Sequence, residues 1–185
     1  MNEMFDVLTE LGEFTGKVAT RDECHSKGLW HRAVYAFIIN EDDEVLLQKR
    51  CANKKLWPNK WDVTIGGHVN TGEFGRQALI RECKEELGIS ITDDDIKYIV
   101  TTTSVYNKNG YINNHFDECY IITKDVDTKD LKLQKEEVSD AKYFSKEEII
   151  KRINNNYDGL TEKTVSWHIF KRLLESDLLK QIKNK

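Results

Sequence analysis

Runs rich in Val, Ile, Tyr and Phe, set between polar turns, predict strands over residues 3–8, 33–39, 44–49, 62–65, 96–106, 116–123 and 141–144. Glu41, Asp42 and Asp43 make the turn that folds 33–39 and 44–49 into a hairpin. Gly12 and Gly16 punctuate the chain after the first strand, and 107–114, around Gly110, reads as a polar loop. Helical spacing appears elsewhere. Thr20 caps a short helix carrying Cys24 and His25, and residues 78–87 lack Gly and Pro and stop at Gly88. Ser145 opens another helix, with Glu148 completing a capping box. Thr161 opens the last one, whose Val165, Ile169, Phe170, Leu173, Leu174 and Leu178 form an apolar face for the core or a dimer contact. Strands and helices mix without regular βαβ alternation, which gives an α/β or α+β class.

Composition narrows the setting. The 185 residues suit one domain, with 32% charged and 39% hydrophobic positions as in ordinary globular chains. A net charge of −4 gives no reason to expect bulk nucleic-acid binding. No apolar run approaches the roughly 20 residues of a membrane span, and the acidic N-terminus lacks a signal-peptide pattern. Cys24, Cys51, Cys83 and Cys119 form no CxxC pair, so reduced thiols and a cytoplasmic location are expected.

The chemistry concentrates at residues 67–89. Glu82, Glu85 and Glu86 are spaced i, i+3, i+4, so a helix puts three carboxylates on one side, beside an apolar stripe of Leu79, Cys83 and Leu87. Three close carboxylates repel unless a hard cation such as Mg²⁺ or Mn²⁺ neutralises them. A solvated acidic face accounts for the acids, but not for Gly67, Gly88 and Arg81 at their offsets. Upstream, Arg50, Lys54 and Lys55 crowd one loop with Trp57, Pro58 and Trp61. Such a loop is either a solvent-facing basic turn or a phosphate clamp, and its place before the glycine turn favours the clamp.

Residues 67–89 resemble the Nudix box, G-x5-E-x7-R-E-U-x-E-E-x-G-U, where U is aliphatic. Eight of the nine specified positions match, and Cys83 replaces an aliphatic residue. The resemblance implies an α/β/α sandwich with a mixed sheet, arranged as an extension (1–32), a core (33–155) and a C-terminal helix (156–185). It also implies Mg²⁺ or Mn²⁺ on Glu82, Glu85, Glu86 and the Gly67 carbonyl, with Arg81 beside them in the catalytic group. Glu73 would brace Arg81, and Gly88 would close the helix.

Residues 20–144 are also similar to type 1 isopentenyl-diphosphate isomerase, a Nudix-fold relative, through CHSKGLWHRA, KRCANKKLWPNKW and GGHV. Three of that enzyme's metal-binding histidines match His25, His31 and His68, and two of its diphosphate-binding residues match Arg50 and Lys54. The likeness implies a second metal site completed by Glu118 or Asp117, with imidazole ligands suiting Zn²⁺ or Mn²⁺. Two features depart from the isomerase. Gly66 stands where its catalytic Cys would be, and Asp117 or Glu118 falls at its catalytic Glu according to register. Conversely, the three box glutamates are intact.

The resulting expectation is a metal-dependent hydrolase of a diphosphate linkage in a nucleoside diphosphate derivative or related organic diphosphate. Arg50 and Lys54 would grip phosphate, and Trp57 or Trp61 would stack on a base or shield an apolar tail. Isomerisation of a prenyl diphosphate and non-catalytic nucleotide binding are the alternatives. The partner expected is a small diphosphate, with a homodimer supported by the last helix.

Overall fold

The computed structural model describes residues 3–162 and 164–183. Its main element is a seven-stranded mixed sheet centred on β3 (His31–Ile39). On one side β3 runs parallel to β8 (Tyr111–Thr123), which pairs antiparallel with the edge strand β7 (Ile96–Lys108). The other side of β3 forks. Its end pairs with β4 (Val45–Arg50), as the hairpin expectation required, while its start pairs with β6 (Ile65–His68). Beyond β4 lie β5 (Trp61–Asp62) and β9 (Val138–Phe144). Outside this sheet, β1 (Met4–Leu8) and β2 (Phe14–Thr20) form a two-stranded ribbon.

Layers of helix cover both faces of the large sheet. On one face α2 (Gly75–Glu82) and the turn after it bury Ala78, Leu79, Cys83 and Leu87 against Val34, Ile38 and Ile65. On the other, α3 (Lys146–Asn154), α4 (Thr164–Leu174) and α5 (Leu178–Lys183) pack Ile149, Trp167, Phe170, Leu173 and Leu179 against Phe37, Leu47 and Phe144. Fully burying each such side chain contributes about 1.5–3 kcal/mol. The fold is thus the expected α/β/α sandwich with a mixed sheet. The ribbon and α1 (Arg21–Lys27) add a smaller cluster of Phe5, Val7, Ala19 and Cys24. Thr20 caps α1 as expected, with Glu23 bonding back to its N–H and Gly28 closing the helix in the left-handed region.

Several expectations need correction. The strand expected at 62–65 is two strands on different partners. Thr64 sits in the fork between them, where its hydroxyl accepts from the Ile38 N–H at 2.9 Å and donates to the Leu46 carbonyl. The loop expected at 107–114 is only a tight turn: Asn109 and Gly110 take φ of 54° and 80°, the geometry of a two-residue hairpin, and pairing resumes at Tyr111. The helix expected over 78–87 starts at Gly75 and widens to a π-helix over Cys83–Leu87, a form that recurs at functional sites. Phe14–Thr20 is a strand despite Gly16.

Thr161 does not open the last helix. It is buried, donating to Asp62 at 3.0 Å and accepting from the Trp167 indole at 3.2 Å. The expected helix is split at Ser176 into α4 and α5. Leu178 lies exposed and Val165 half-buried, while Ile169 and Phe170 pack on the protein's own core. Ser145 caps α3 through the Glu148 N–H at 3.2 Å, whereas the Glu148 carboxylate binds Arg152 one turn on. No described helix is long and apolar enough to cross a membrane.

Candidate active site

Glu82 ends α2, and Glu85 and Glu86 lie in the π-helical turn; all three line one polar cavity. Glu82 and Glu86 are buried, while the Glu85 side chain is 54% exposed. Gly67 lies across from them on β6, where a Cβ would overlap the Glu82 carboxylate. Arg81 organises the turn. It grips Glu73 through two bonds of 3.0 Å, donates to the His68 carbonyl at 3.0 Å, and reaches Glu82 at 2.7 Å and Glu85 at 3.1 Å. Gly88 then stops the helix with φ 72°, and a Cβ there would press on Lys132.

These acids are held under electrostatic stress. Burial, helped by Glu82, pushes the Glu86 carboxyl up to about 8, even though it accepts a 2.9 Å bond from Gln48 and faces Lys54. Burial also raises Glu82, against the pull of Arg81. Oxygen donors this close, in a cradle that only glycine at position 67 leaves open, suit a hard divalent cation. The residues therefore fit Mg²⁺ or Mn²⁺ at this place.

Basic groups line the same cavity. Arg50 is anchored by Asp62 at 3.1 Å and the Leu56 carbonyl at 3.2 Å, and Lys54 by Glu137. Burial, together with Arg50, lowers Lys54 to about 8. Arg21 of α1, held by Glu3 at 2.7 Å, joins them. Nothing at sequence level singles it out, because only the packing of α1 brings it here. Trp57 is in the wall. Trp61 is not: it packs edge-on against Phe144, 4.9 Å between centroids, at the margin of the core. Gly66 contributes only backbone to the cavity.

Strand register assembles the histidines. Parallel pairing sets His31 of β3 opposite His115 of β8, antiparallel pairing sets His68 of β6 opposite Ala33, and α1 brings in His25. One ring nitrogen from each lies within 4.8 Å of the others. The Nδ1 atoms of His25 and His31 meet the carbonyls of Ile112 and Leu29 at 3.0 and 2.8 Å, which fixes Nδ1–H and turns Nε2 inward. His31 Nε2 is buried and finds no partner among the described residues. Burial lowers His25 to about 4 and His31 to about 2, and His68 falls well below its ordinary value. His25 Nε2 and His68 Nε2 are 3.3 Å apart. That is about the edge of a tetrahedral site with zinc–nitrogen bonds of roughly 2.0–2.1 Å. The donor set thus fits a borderline cation such as Zn²⁺.

Glu118 does not belong to this cluster. Successive β8 side chains alternate between faces, so His115 and Asp117 share the histidine side, 3.6 Å apart, while Glu118 points to the opposite face. There it accepts from the Tyr120 hydroxyl at 2.5 Å and lies 3.7 Å from Arg32, in a space that Gly75 leaves open. Of the two carboxylates expected there, Asp117 is on the histidine side, and His115 is the fourth ring beside His25, His31 and His68. The signal was the alternation of Asn113, His115, Asp117 and Cys119, hidden when 107–114 is read as loop.

A NUDIX domain model matches residues 29–164. A Nudix hydrolase of Listeria monocytogenes is 42% identical over 147 residues, covering 80% of this chain and 82% of that protein. The isopentenyl-diphosphate Delta-isomerase of Salmonella arizonae is 32% identical over 124 residues, covering 67% and 66%. Among solved structures, DR0079 of Deinococcus radiodurans superposes with a TM-score of 0.66 at 22% identity, covering 94% of this chain and 98% of that one. The acidic π-turn facing Gly67 and the relatives agree: the chain belongs to the Nudix family, as a Nudix hydrolase with isopentenyl-diphosphate isomerases among its relatives.

Proposed function

We propose that the protein is an Mg²⁺- or Mn²⁺-dependent diphosphatase acting on a nucleoside diphosphate linked to another group, or on a related organic diphosphate. The observation that carries this is the shared cavity: buried Glu82 and Glu86 beside Gly67 on one side, with Arg50, Lys54 and Arg21 on the other. Each basic group is oriented by its own carboxylate, so it meets phosphate oxygens with little reorganisation. Arg81 fixes the spacing of Glu82 and Glu85. The Glu86 carboxyl, held at about 8 without a cation, would give up its proton to the charge of a bound one. When bound, divalent cations supply charge neutralisation at the phosphates and a more acidic water. The four histidines hold a second, borderline cation in the same cavity, where His68 and His115 are in the lining. Isomerisation lacks an acid–base side chain at Gly66, and pure binding gives no reason for three clustered glutamates.

Incubation with Mg²⁺ or Mn²⁺ and a panel of nucleoside di- and triphosphates, nucleotide sugars, dinucleotides and isopentenyl diphosphate, read by phosphorus NMR, tests this. New phosphate or monophosphate signals are expected. Isomerised isopentenyl diphosphate with intact phosphorus signals would overturn it.

A further inference from the structure

The loop over residues 69–73 runs from β6 to the start of α2, so it sets where Gly67 stands relative to Glu82. Every backbone N–H along it is taken. Two are satisfied locally: the Asn70 N–H donates to the Glu73 carboxylate and the Glu73 N–H to the Asn70 carbonyl, both at 3.0 Å. The others reach outside the loop. The Val69 N–H donates to the Arg32 carbonyl at 3.1 Å, that of Thr71 to the Met4 carbonyl at 2.8 Å, and that of Gly72 to the Asp6 carboxylate at 3.1 Å. Arg32 returns at the far end, where its guanidinium donates to the Glu73 carbonyl at 2.7 Å. One residue of β3 thus grips both ends of the loop, by its carbonyl and by its side chain. The guanidinium is itself held. Its side chain is 17% exposed and lies 4.0 Å from Asp6 and 3.7 Å from Glu118, with the Phe14 ring centre 5.4 Å away. Glu118 sits against the first turn of α2, in the room that Gly75 leaves, where a negative charge also suits the helix N-terminus.

We propose that Arg32, set between Asp6 of the ribbon and Glu118 of β8, is a positioning residue for the acidic cation site. It acts through Glu73, whose carboxylate takes two 3.0 Å bonds from Arg81, and Arg81 in turn reaches Glu82 and Glu85. The planar fork of a guanidinium spans the Glu73 carbonyl and Glu118 together, which a single ammonium does not. Met4 and Asp6 lie outside residues 29–164, the part matched by the NUDIX domain model. The ribbon that carries them is thereby part of the scaffold of the site. This deepens the diphosphatase reading and rests on it for the cation that the acids hold.

The test compares the wild-type chain with Arg32→Met, Glu118→Gln, Glu73→Gln and the double variant of Arg32→Met with Glu73→Gln. Ile153→Val is the control, because it loosens the helical layer on the opposite face of the sheet. The first readout needs no metal. It follows proton exchange of the Arg81 Nε–H, which donates to Glu73, in nitrogen-15 NMR. Arg32→Met is expected to speed this exchange about tenfold or more, Glu118→Gln to a smaller degree, and Ile153→Val not at all. The second readout is Mn²⁺ titration by electron paramagnetic resonance, with Zn²⁺ already added for the histidines. Arg32→Met is expected to weaken Mn²⁺ about tenfold, the lower end of the range for groups that support metal ligands. That factor should vanish in the Glu73→Gln background, because two changes along one line of contacts do not add. Unchanged Arg81 exchange in Arg32→Met overturns the proposal. So does an Arg32→Met factor that is the same with and without the Glu73 carboxylate, or an Ile153→Val variant that matches Arg32→Met in either readout. Failure of the diphosphatase reading looks different: exchange and Mn²⁺ affinity follow the expected pattern, but no probe of the phosphorus NMR panel is cleaved.

Discussion

Gly67 and Glu82 occupy each other's space: the Glu82 carboxylate lies where any side chain at position 67 would begin. Gly67→Ala therefore has to push Glu82 out of the cavity while leaving β6 paired to β3. The expected result is a 10–100-fold loss of Mn²⁺ affinity, the range typical when the support of a metal ligand is disturbed. The metal-free melting temperature should change little. Titration of Mn²⁺ by electron paramagnetic resonance measures the first, and differential scanning fluorimetry the second.

Glu86 gives a pH dependence to the metal-free protein. Its folded-state carboxyl, raised by burial and by Glu82, titrates at about 8, above the ordinary unfolded value near 4.3. The folded state thus binds more protons between these values. The stability this group contributes is full below about 4.3 and is lost as pH rises through 8. In chelator, the melting temperature should fall over that interval, and Glu86→Gln should flatten the fall. Added Mg²⁺ should raise the melting temperature more at pH 8 than at pH 5. A variant that keeps metal-dependent turnover without the Glu86 carboxylate would remove it from the site.

The histidines act in the opposite direction. His25 and His31 are held at about 4 and about 2, chiefly by burial, below the unfolded value near 6.5. The folded state binds fewer protons than the unfolded chain under 6.5, so their contribution is present above 6.5 and lost as pH falls towards 4. In chelator, imidazole signals of these residues in nitrogen-15 NMR should show no titration between pH 7 and 5. A midpoint near 6.5 would contradict the burial described.

His115 and Glu118 lie on opposite faces of β8, so substitutions at the two positions test the proposed histidine metal site. With Co²⁺ as a spectroscopic substitute, the wild-type protein should show the intense visible bands of a tetrahedral nitrogen site. His115→Ala should weaken them, and Glu118→Gln should leave them unchanged. Loss of the bands in Glu118→Gln would restore the carboxylate to the cluster.

Arg81 ties together Glu73, the His68 carbonyl, Glu82 and Glu85, and a lysine cannot reproduce that planar set of bonds. Arg81→Lys should cost about 2 kcal/mol of stability, discounted from the 3–5 kcal/mol of a fully buried pair. It should also weaken Mn²⁺ binding, by thermal unfolding and the same resonance titration.

The sequence by itself determined the local elements and the acidic face. Leu79, Cys83 and Leu87 seat a helix whatever it packs on, and the spacing of Glu82, Glu85 and Glu86 puts them on one side of it. Gly88 was legible as a helix stop, and the roles of Gly67, Glu73 and Arg81 through the likeness to the Nudix box, whose partners lie within a short stretch of chain. What lay beyond reach depended on pairing between distant segments. The fork in β3 that Thr64 fills, the register that sets His115 beside His31, and the packing of α1 that delivers Arg21 are long-range choices. The strand face that excludes Glu118 from the histidines was decided by where the Asn109–Gly110 turn begins, since a strand read from the wrong start loses its side-chain alternation. Trp61 and Trp57 look alike in sequence, and only the tertiary structure sent one to the core margin and left the other, strained and with an unpaired N–H, in the cavity wall.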